Sequence, residues 1–399
     1  MLNKTRTITG IHPMIARDMS ESHRAATPLE LLFDLVSVIA IAAAAAGLHH
    51  AIAEAHFIDG VLKFVAAFFA IWLAWINYTW FASAYDNDDS LFRVLTMVIM
   101  GGALTLAAGI NSFFQTADLG FIVIGYVIMR AAMVLLWLRA AKHDPLRRST
   151  CLYYAGGIAL VQVYWVALFL NQPLPDSLFY PLFAVGALLE LGVPALAERK
   201  GATPWHRHHI IERYGLLNII VLGETLLAGS MALSQVSAPH ANIALIHIAL
   251  SALVILFSMW WLYFSKEEQI QDKSISTAFT WGYGHLIIYI AGAAVGAGFA
   301  VLVDIVSGHA QVDLLVGDYA VAIPASLYLA GLWFVRDRFV LKNANRIILP
   351  LFAVATLLAP LLLGLEGIAM VMLVCVMVRS YFVCQPYLHS EIENANSKN

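Results

Sequence analysis

Several acidic side chains lie inside stretches that are otherwise apolar enough to enter a membrane. Glu30 and Asp34 stand four residues apart in TPLELLFDLVSVIAIA, so they would share one face of a helix. Glu224 lies in LNIIVLGETLLAG, twelve residues after Glu212. A buried carboxylate is costly unless it faces a wet cavity, finds a partner or binds a proton. Residues of this kind can bind a proton or a small cation on a path through a membrane.

Arg130, in GYVIMRAAMVLLW, is the candidate partner for one of these acids. Asp34, Glu224 and Glu190 compete for it, the last of them in AVGALLELGVPAL. A fixed ion pair that holds two helices together and a charge-setting role in transport are both open interpretations. If the pair is fixed, replacing one partner should be more damaging than replacing both.

Three further candidates have structural alternatives. Glu30 follows Thr27 by three residues, which is the spacing of a capping box at a helix N-terminus. Glu212 stands next to Arg213 near the start of an apolar stretch, which is also typical of an interfacial ion pair. His285, in TWGYGHLIIY, could relay protons near neutral pH, or it could be a hydrogen-bonded interior residue.

Two polar clusters raise the alternative of metal chemistry. The run YDNDDSLFR (85–93) carries three aspartates, and clustered carboxylates can hold Mg²⁺ for a diphosphate substrate. It departs from the aspartate motif of membrane prenyltransferases at Leu91, so a solvated loop or an ion pair from Asp to Arg93 is the alternative. LHHAIAEAHFID is rich in histidine, but zinc requires three or four converging ligands. We therefore predict no metal and no cofactor.

The elements that must position these residues follow from composition. The 399 residues are 61% hydrophobic and 12% charged, with a mean hydropathy of +0.77; soluble domains carry about 25% charged residues. Because lipid offers the backbone no hydrogen-bond partners, apolar segments of about 20 residues should be helices. The sequence predicts an all-α, polytopic integral membrane protein of about 12 transmembrane helices, without a basic stripe for nucleic acid. The segments begin near residues 30, 58, 91, 120, 150, 177, 209, 242, 279, 316, 345 and 366.

Basic residues alternate between the connecting loops. The loops after the odd-numbered segments contain no Lys or Arg, which by the positive-inside rule puts both termini, 1–26 and 387–399, in the cytoplasm. Only Lys63 and Arg130 fall clearly within segments. The aromatic group at the end of segment two is typical of an interfacial belt; it comprises Trp72, Trp75, Tyr78 and Trp80. The loops after the even-numbered segments carry Arg93; Arg139, Lys142, Arg147 and Arg148; Arg199, Lys200 and Arg207; Lys266 and Lys273; Arg336, Arg338 and Lys342.

The chain also contains an internal repeat. MVLLWLRAAKHDPLRR (133–148) resembles LAGLWFVRDRFVLKNANR (329–346), and ATPLELLFDLVSVIAIA (26–42) loosely matches the region that opens at Glu212. The repeat predicts two similar six-helix halves, 27–200 and 201–386. An even number of helices in each half gives both halves the same orientation, as in several transporter folds.

Three motifs, in the expected order, resemble those of the bacterial low temperature requirement protein A family. TPLELLFDLVSVIAIA is similar to its opening E-L-F-F-D-L-V-F-V, and ERYGLLNIIVLGETLL is similar to its later E-R-F-G-L-I-V-I-I-x-L-G-E-S; WINYTWFASAYDNDD lies between them. Ser37 replaces a residue that is usually aromatic, and Thr225 replaces a serine. The resemblance, from about residue 25 to 385, implies a multi-pass protein of the bacterial inner membrane, linked by its family name to growth in the cold. It implies no settled reaction or substrate. The matching residues are Glu30, Phe33, Asp34, Leu35 and Val36, then Glu212, Arg213, Gly215, Leu222, Gly223 and Glu224.

We predict an ion- or proton-coupled transporter or ion pathway rather than an enzyme. Its surroundings would be the lipid bilayer and its ligand a proton or a small cation, bound by Asp34 and Glu224, with Arg130 setting their charge state. Two alternatives stay open. The first is a membrane enzyme acting on lipid or isoprenoid, which would need the aspartate loop to bind metal. The second is a sensor or assembly protein whose buried charges only specify helix packing. A homo-oligomer is compatible with the sequence, which specifies neither the substrate nor the direction of transport.

Overall fold

The computed structural model describes residues 10–19, 21, 24–236, 243–265 and 275–384. Every regular element in these ranges is helical. The predicted C-terminal tail, 387–399, lies outside them, as do Lys266 and Lys273 and the first nine residues of the predicted N-terminal tail. The helices are α1 (Pro28–Ala53), α2 (Phe57–Tyr85), α3 (Ser90–Thr116), α4 (Gly120–His143), α5 (Arg148–Leu170), α6 (Asp176–Glu198), α7 (Arg207–Val236), α8 (Ile243–Phe264), α9 (Ile275–Val306), α10 (Leu314–Leu332), α11 (Arg338–Val340), α12 (Ile348–Leu358) and α13 (Pro360–Arg379).

The twelve predicted segments coincide with α1 to α10, α12 and α13. In the described part of the chain, ten helices are long and apolar enough to cross a membrane. The polytopic all-α prediction is therefore confirmed, whereas the orientation of the termini stays a prediction. The two predicted segments that are not among these ten helices are the seventh, α7, and the eleventh. The eleventh departs from the expected length of about 20 residues, because α12 has 11 residues. Its continuation in α13 is broken at Gly364, where φ is +59° and ψ is −143°.

The chain forms two compact units, and the first comprises residues 1–44 and 66–213. In this unit α3 packs against α4, α4 against α5 and α5 against α6. Glycines let α3 and α4 approach closely, since a Cβ atom added at Gly125 would lie 2.4 Å from the carbonyl oxygen of Gly102. The first turns of α1, the second half of α2 and the first turns of α7 belong to the same unit.

The second unit comprises residues 45–65 and 214–399. Here α9 packs against α10, α10 packs against α12 and α13, and α13 packs against α8. A Cβ atom added at Gly298 would lie 2.4 Å from the carbonyl oxygen of Ala320, so α9 and α10 meet almost backbone to backbone. The prediction of two similar halves, 27–200 and 201–386, stays a prediction.

Candidate functional site

Six ionisable side chains meet in the first unit, and we call them the buried charge cluster. Each of them is at most 5% exposed to solvent. They come from the first turns of α1 and α7, from the loop after α2, and from the segment before α1. The cluster consists of Arg24, Glu30, Asp34, Asp86, His209 and Arg213.

Glu30 has two roles in this arrangement. Its Oε2 accepts hydrogen bonds from the backbone N–H and the hydroxyl of Thr27, at 2.8 and 2.9 Å, which confirms the predicted capping box. Its Oε1 faces the cluster instead, 3.0 Å from Nε2 of His209 and 3.9 Å from Nη2 of Arg24. Oε2 therefore caps the helix N-terminus, and Oε1 interacts with the charged side chains of the cluster.

Asp34 is held by three donors. Nη1 and Nη2 of Arg213 donate to its two oxygens at 2.7 Å each, and Nε1 of Trp75 donates to Oδ1 at 2.7 Å. The two acids of α1 and the two bases of α7 are each four residues apart, so each pair lies on one helix face. The earlier acid, Glu30, contacts the earlier base, His209, and the later acid, Asp34, contacts the later base, Arg213. The two helices therefore run in the same direction at the cluster.

Arg24 and Asp86 complete the cluster at the end of α2. The Arg24 guanidinium donates to the carbonyl oxygens of Ala82, at 2.8 Å, and Ser83, which lie at the negative end of the α2 dipole. It also lies 3.6 Å from the Asp86 carboxylate. Burial raises the pKa of Asp86 to about 6, and the nearby Glu30 carboxylate adds to the rise against the opposing effect of Arg24. Asp86 is thus an acid that can hold a proton in mildly acidic conditions.

The formal charge of the cluster depends on the protonation of His209. Two arginines face three carboxylates, so with a neutral imidazole at His209 the net charge is −1. Outside the cluster, Arg17 and Glu21 pair with one another at 3.4 Å. A net charge without solvent is costly. One bound proton or one monovalent cation would make the cluster neutral.

Arg130 is paired with Glu190, one of the three acids that compete for it in the sequence. Nη2 of Arg130 lies 2.8 Å from Oε1 of Glu190, and both residues are buried. The hydroxyl of Tyr126 accepts a hydrogen bond from Arg130 at 3.1 Å, and Nε1 of Trp165 donates to Glu190 at 3.0 Å. This pair is neutral as a unit. The basic partner of Asp34 is Arg213, so the structure does not bring Arg130 together with Asp34.

The other predicted site residues lie in different surroundings. Glu212 accepts a hydrogen bond from the backbone N–H of Ala26 at 3.2 Å, and its interfacial ion pair stays a prediction. Glu224 is half-buried, and the described residues include no hydrogen-bond or ion-pair partner for it. His285 is fully buried, with Nδ1 2.8 Å from the carbonyl oxygen of Trp281, as in the structural alternative.

The aspartate loop after α2 is occupied by protein contacts. Asp88 binds Arg93 through both oxygens at 2.8 Å, which confirms the predicted Asp–Arg93 pair. Asp89 caps α3 by accepting the N–H of Phe92 at 2.8 Å, and it pairs with Arg139. Burial acts to raise the pKa of Asp89, but the contact with Arg139 prevails and lowers it to about 2. In the described part of the chain, no group of three His, Cys, Asp or Glu side chains could hold a metal ion.

Two features of the sequence indicate the cluster. His209 and Arg213 repeat on α7 the four-residue spacing of the acids on α1. The expectation of an interfacial aromatic belt is wrong for Trp72, Trp75 and Tyr78, each at most 2% exposed. A buried indole N–H requires an acceptor, and Asp34 supplies it for Trp75.

Comparison with known proteins gives the family. The model for the bacterial low temperature requirement A protein matches residues 25–381. An uncharacterised protein of Rhizobium meliloti (strain 1021) is 26% identical over 306 residues, which cover 72% of this chain and 72% of that protein. No solved structure matches. The chain belongs to the bacterial low temperature requirement A protein family.

Proposed function

We propose that this protein is a transporter or ion pathway of the bacterial inner membrane, and that its buried charge cluster binds the transported or coupling proton. The observation that carries the proposal is that three carboxylates face two arginines and one histidine among six side chains that are at most 5% exposed. A proton is the smallest charge that neutralises the cluster. A monovalent cation such as Na⁺ or K⁺ is the alternative occupant.

The contact between Glu30 and His209 is the best place for an exchangeable proton. Oε1 of Glu30 and Nε2 of His209 are 3.0 Å apart, and imidazole and carboxylate groups can pass a proton between them at this distance. Nδ1 of His209 is buried without a hydrogen-bond partner among the described residues. Asp86 offers a second position for the proton, because its pKa is raised to about 6 and it can therefore bind a proton at mildly acidic pH.

Asp34 and Arg213 have a different role in this proposal. Their two hydrogen bonds of 2.7 Å, with Trp75 as a third donor, favour a fixed ion pair. The pair sets the electrostatic field around Glu30 and does not itself exchange a proton. Arg130 and Glu190 form a second fixed pair, whereas Glu224, half-buried on α7, stays a candidate for the path.

The enzyme and assembly alternatives receive less support from the geometry. The carboxylates of the loop at 86–89 are engaged with Arg24, Arg93 and Arg139, which leaves little capacity for a catalytic metal. A cluster used only for helix packing would be expected to carry balanced charges, because an unbalanced buried charge destabilises the fold.

The test is ion flux in sealed liposomes that contain purified protein. A pH gradient, and in separate runs a Na⁺ or K⁺ gradient, is imposed while lumenal pH is recorded for wild type, Glu30→Gln and His209→Gln. Glu198→Gln is the matched control, since Glu198 is also buried in the first unit but bonds to Tyr154 at 2.8 Å and to the Thr203 hydroxyl at 2.7 Å.

We expect flux in wild type and in the control, and background flux in both cluster variants. Size-exclusion profiles establish that each variant is folded. Equal flux in folded wild type, Glu30→Gln and His209→Gln would contradict the proposal. Absence of flux in wild type under all three gradients would also contradict it, and would favour the assembly alternative.

A further inference from the structure

The helix that contains α10 ends in a wider, π-helical turn. In this turn Arg336 and Asp337 are buried, whereas Arg338, directly after it, is partly exposed. Trp333–Asp337 forms a π-helical turn between α10 and α11. Arg336 and Asp337 are buried within the second unit. Arg336 donates to the carbonyl oxygens of Leu262 and Tyr263 at 2.9 and 2.7 Å. Wide turns of this kind are frequent at functional sites. Arg338, the next arginine after Arg336, is not part of the buried ion pairs that Asp337 forms with Arg336 and Arg379.

Arg338 is positioned by aromatic rings rather than by an acid. Its guanidinium carbon lies 3.7 Å from the ring centroid of Phe334 and 4.4 Å from that of Phe339. The described residues contain no carboxylate partner for Arg338 or for Arg346. Nε of Arg338 is buried without a hydrogen-bond acceptor in the described part of the chain. The charge of Arg346 also acts against that of Arg338, so an anion bound between them would reduce their repulsion.

A polar cavity of about 340 Å³ opens where these arginines meet α9. Thr277 and Thr280 line it from α9, and Arg338, Phe339 and Arg346 line it from the segment after α10. Two guanidinium groups and two hydroxyls form the donor set that suits a phosphate group, since arginine forks bind its oxygens through paired hydrogen bonds. The volume is within the range of about 300–1,000 Å³ for small-molecule sites.

The position along the helix indicates the source of the phosphate. The apolar span that contains α10 ends at Val340, only two residues beyond Arg338. Phe339 and Ile347 beside the cavity are 57% and 60% exposed, as expected for side chains that contact lipid. Arginines at the end of a span commonly extend towards the headgroup region, and basic pockets between transmembrane helices bind anionic headgroups.

We propose that Arg338, Arg346, Thr277 and Thr280 form a binding site for a phosphate group, supplied by the headgroup of an anionic phospholipid. The site lies in the second unit and uses no residue of the buried charge cluster. It therefore goes beyond the proposed ion path, and its test requires no transport activity.

The experiment measures lipid binding to purified, delipidated protein in detergent. Phosphatidylglycerol is titrated while bound lipid is counted by native mass spectrometry, with phosphatidylcholine of the same acyl chains and inorganic phosphate as separate arms. The variants are Arg338→Gln/Arg346→Gln and a matched control, Arg148→Gln/Arg199→Gln. The control removes two exposed arginines of the first unit that the positive-inside rule assigns to the same membrane side.

We expect one phosphatidylglycerol to bind in preference to phosphatidylcholine. Each arginine near the membrane surface strengthens anionic binding about fivefold, so the site variant should bind about 30-fold more weakly, and the control should match wild type. If inorganic phosphate binds with the same arginine dependence and displaces the lipid, the phosphate site is supported and its source is soluble. An undiminished preference in the site variant, or an equal loss in the control, would overturn the proposal.

Discussion

The pair of Asp34 and Arg213 gives the sharpest prediction about stability. Arg213→Gln would remove two charge-assisted hydrogen bonds of 2.7 Å and leave the Asp34 carboxylate with the Trp75 indole as its remaining donor in the described part of the chain. Bonds of this type contribute about 1.5–3 kcal/mol each. Breaking a fully buried pair by removing one partner costs about 3–5 kcal/mol, because the remaining charge is uncompensated. We expect a loss in this range for Arg213→Gln and a similar loss for Asp34→Asn.

The double variant Asp34→Asn/Arg213→Gln should be more stable than either single variant. Its two neutral amides can bond to each other and leave neither partner of this pair as an unpaired charge, so the coupling energy should reach about 2 kcal/mol or more. Equilibrium unfolding in mixed detergent micelles would measure the four free energies of the cycle.

A matched pair with the same bidentate contact provides the control. Arg93 binds Asp88 at 2.8 Å through both oxygens, but these side chains are 35% and 44% exposed. Exposed pairs contribute about 0–1 kcal/mol, so Asp88→Asn and Arg93→Gln should each have a small effect. Additive losses in the buried cycle, or equal losses in the buried and exposed cycles, would refute the reasoning.

Three further predictions concern single residues. The pKa of Asp86 is raised to about 6, so its contribution to stability is complete below about pH 4 and is lost as pH rises through about 6. Asp86→Asn should therefore make the melting temperature depend less on pH between about pH 4 and 6. The pKa of Asp89 is lowered to about 2, so its contribution to stability is present above about pH 4 and is lost as pH falls towards 2. In Asp89→Asn the melting temperature should therefore fall less than in wild type as pH is lowered from about 4 to 2. Gly364→Ala should cost about 1–3 kcal/mol in equilibrium unfolding, since φ is +59° and the new Cβ would lie 3.1 Å from Oδ2 of Asp318. Gly156→Ala, in open space on α5, should be neutral or stabilising, and an equal loss there would contradict the explanation.

Local signals in the sequence predict the helices well. Apolar length locates the membrane-spanning helices, because a lipid environment requires long, internally bonded segments. The cap at Glu30 is likewise local, since Thr27 is only three residues away. The break at Gly364 was not predicted, because a single glycine in an apolar run is compatible with either a continuous helix or a turn.

The partners of the buried charges depend on tertiary packing instead. Arg213 meets Asp34 across 179 positions of sequence, and no local pattern selects that pair among several acids and bases. The sequence offers three acids within apolar segments as partners for Arg130, and only the packing of the helices places Glu190 next to it. Matching spacings of four residues on α1 and α7 would have favoured the observed pairing, but they cannot establish that the two helices are neighbours.

The most direct test of the central claim is the current that follows a pH jump on proteoliposomes adsorbed to a solid-supported membrane. If the contact of Glu30 and His209 carries an exchangeable proton, wild type should give a current whose sign reverses with the direction of the jump. His209→Gln should then give the baseline of protein-free liposomes, while Glu198→Gln keeps the wild-type current. A wild-type current that persists unchanged in folded His209→Gln would contradict the account.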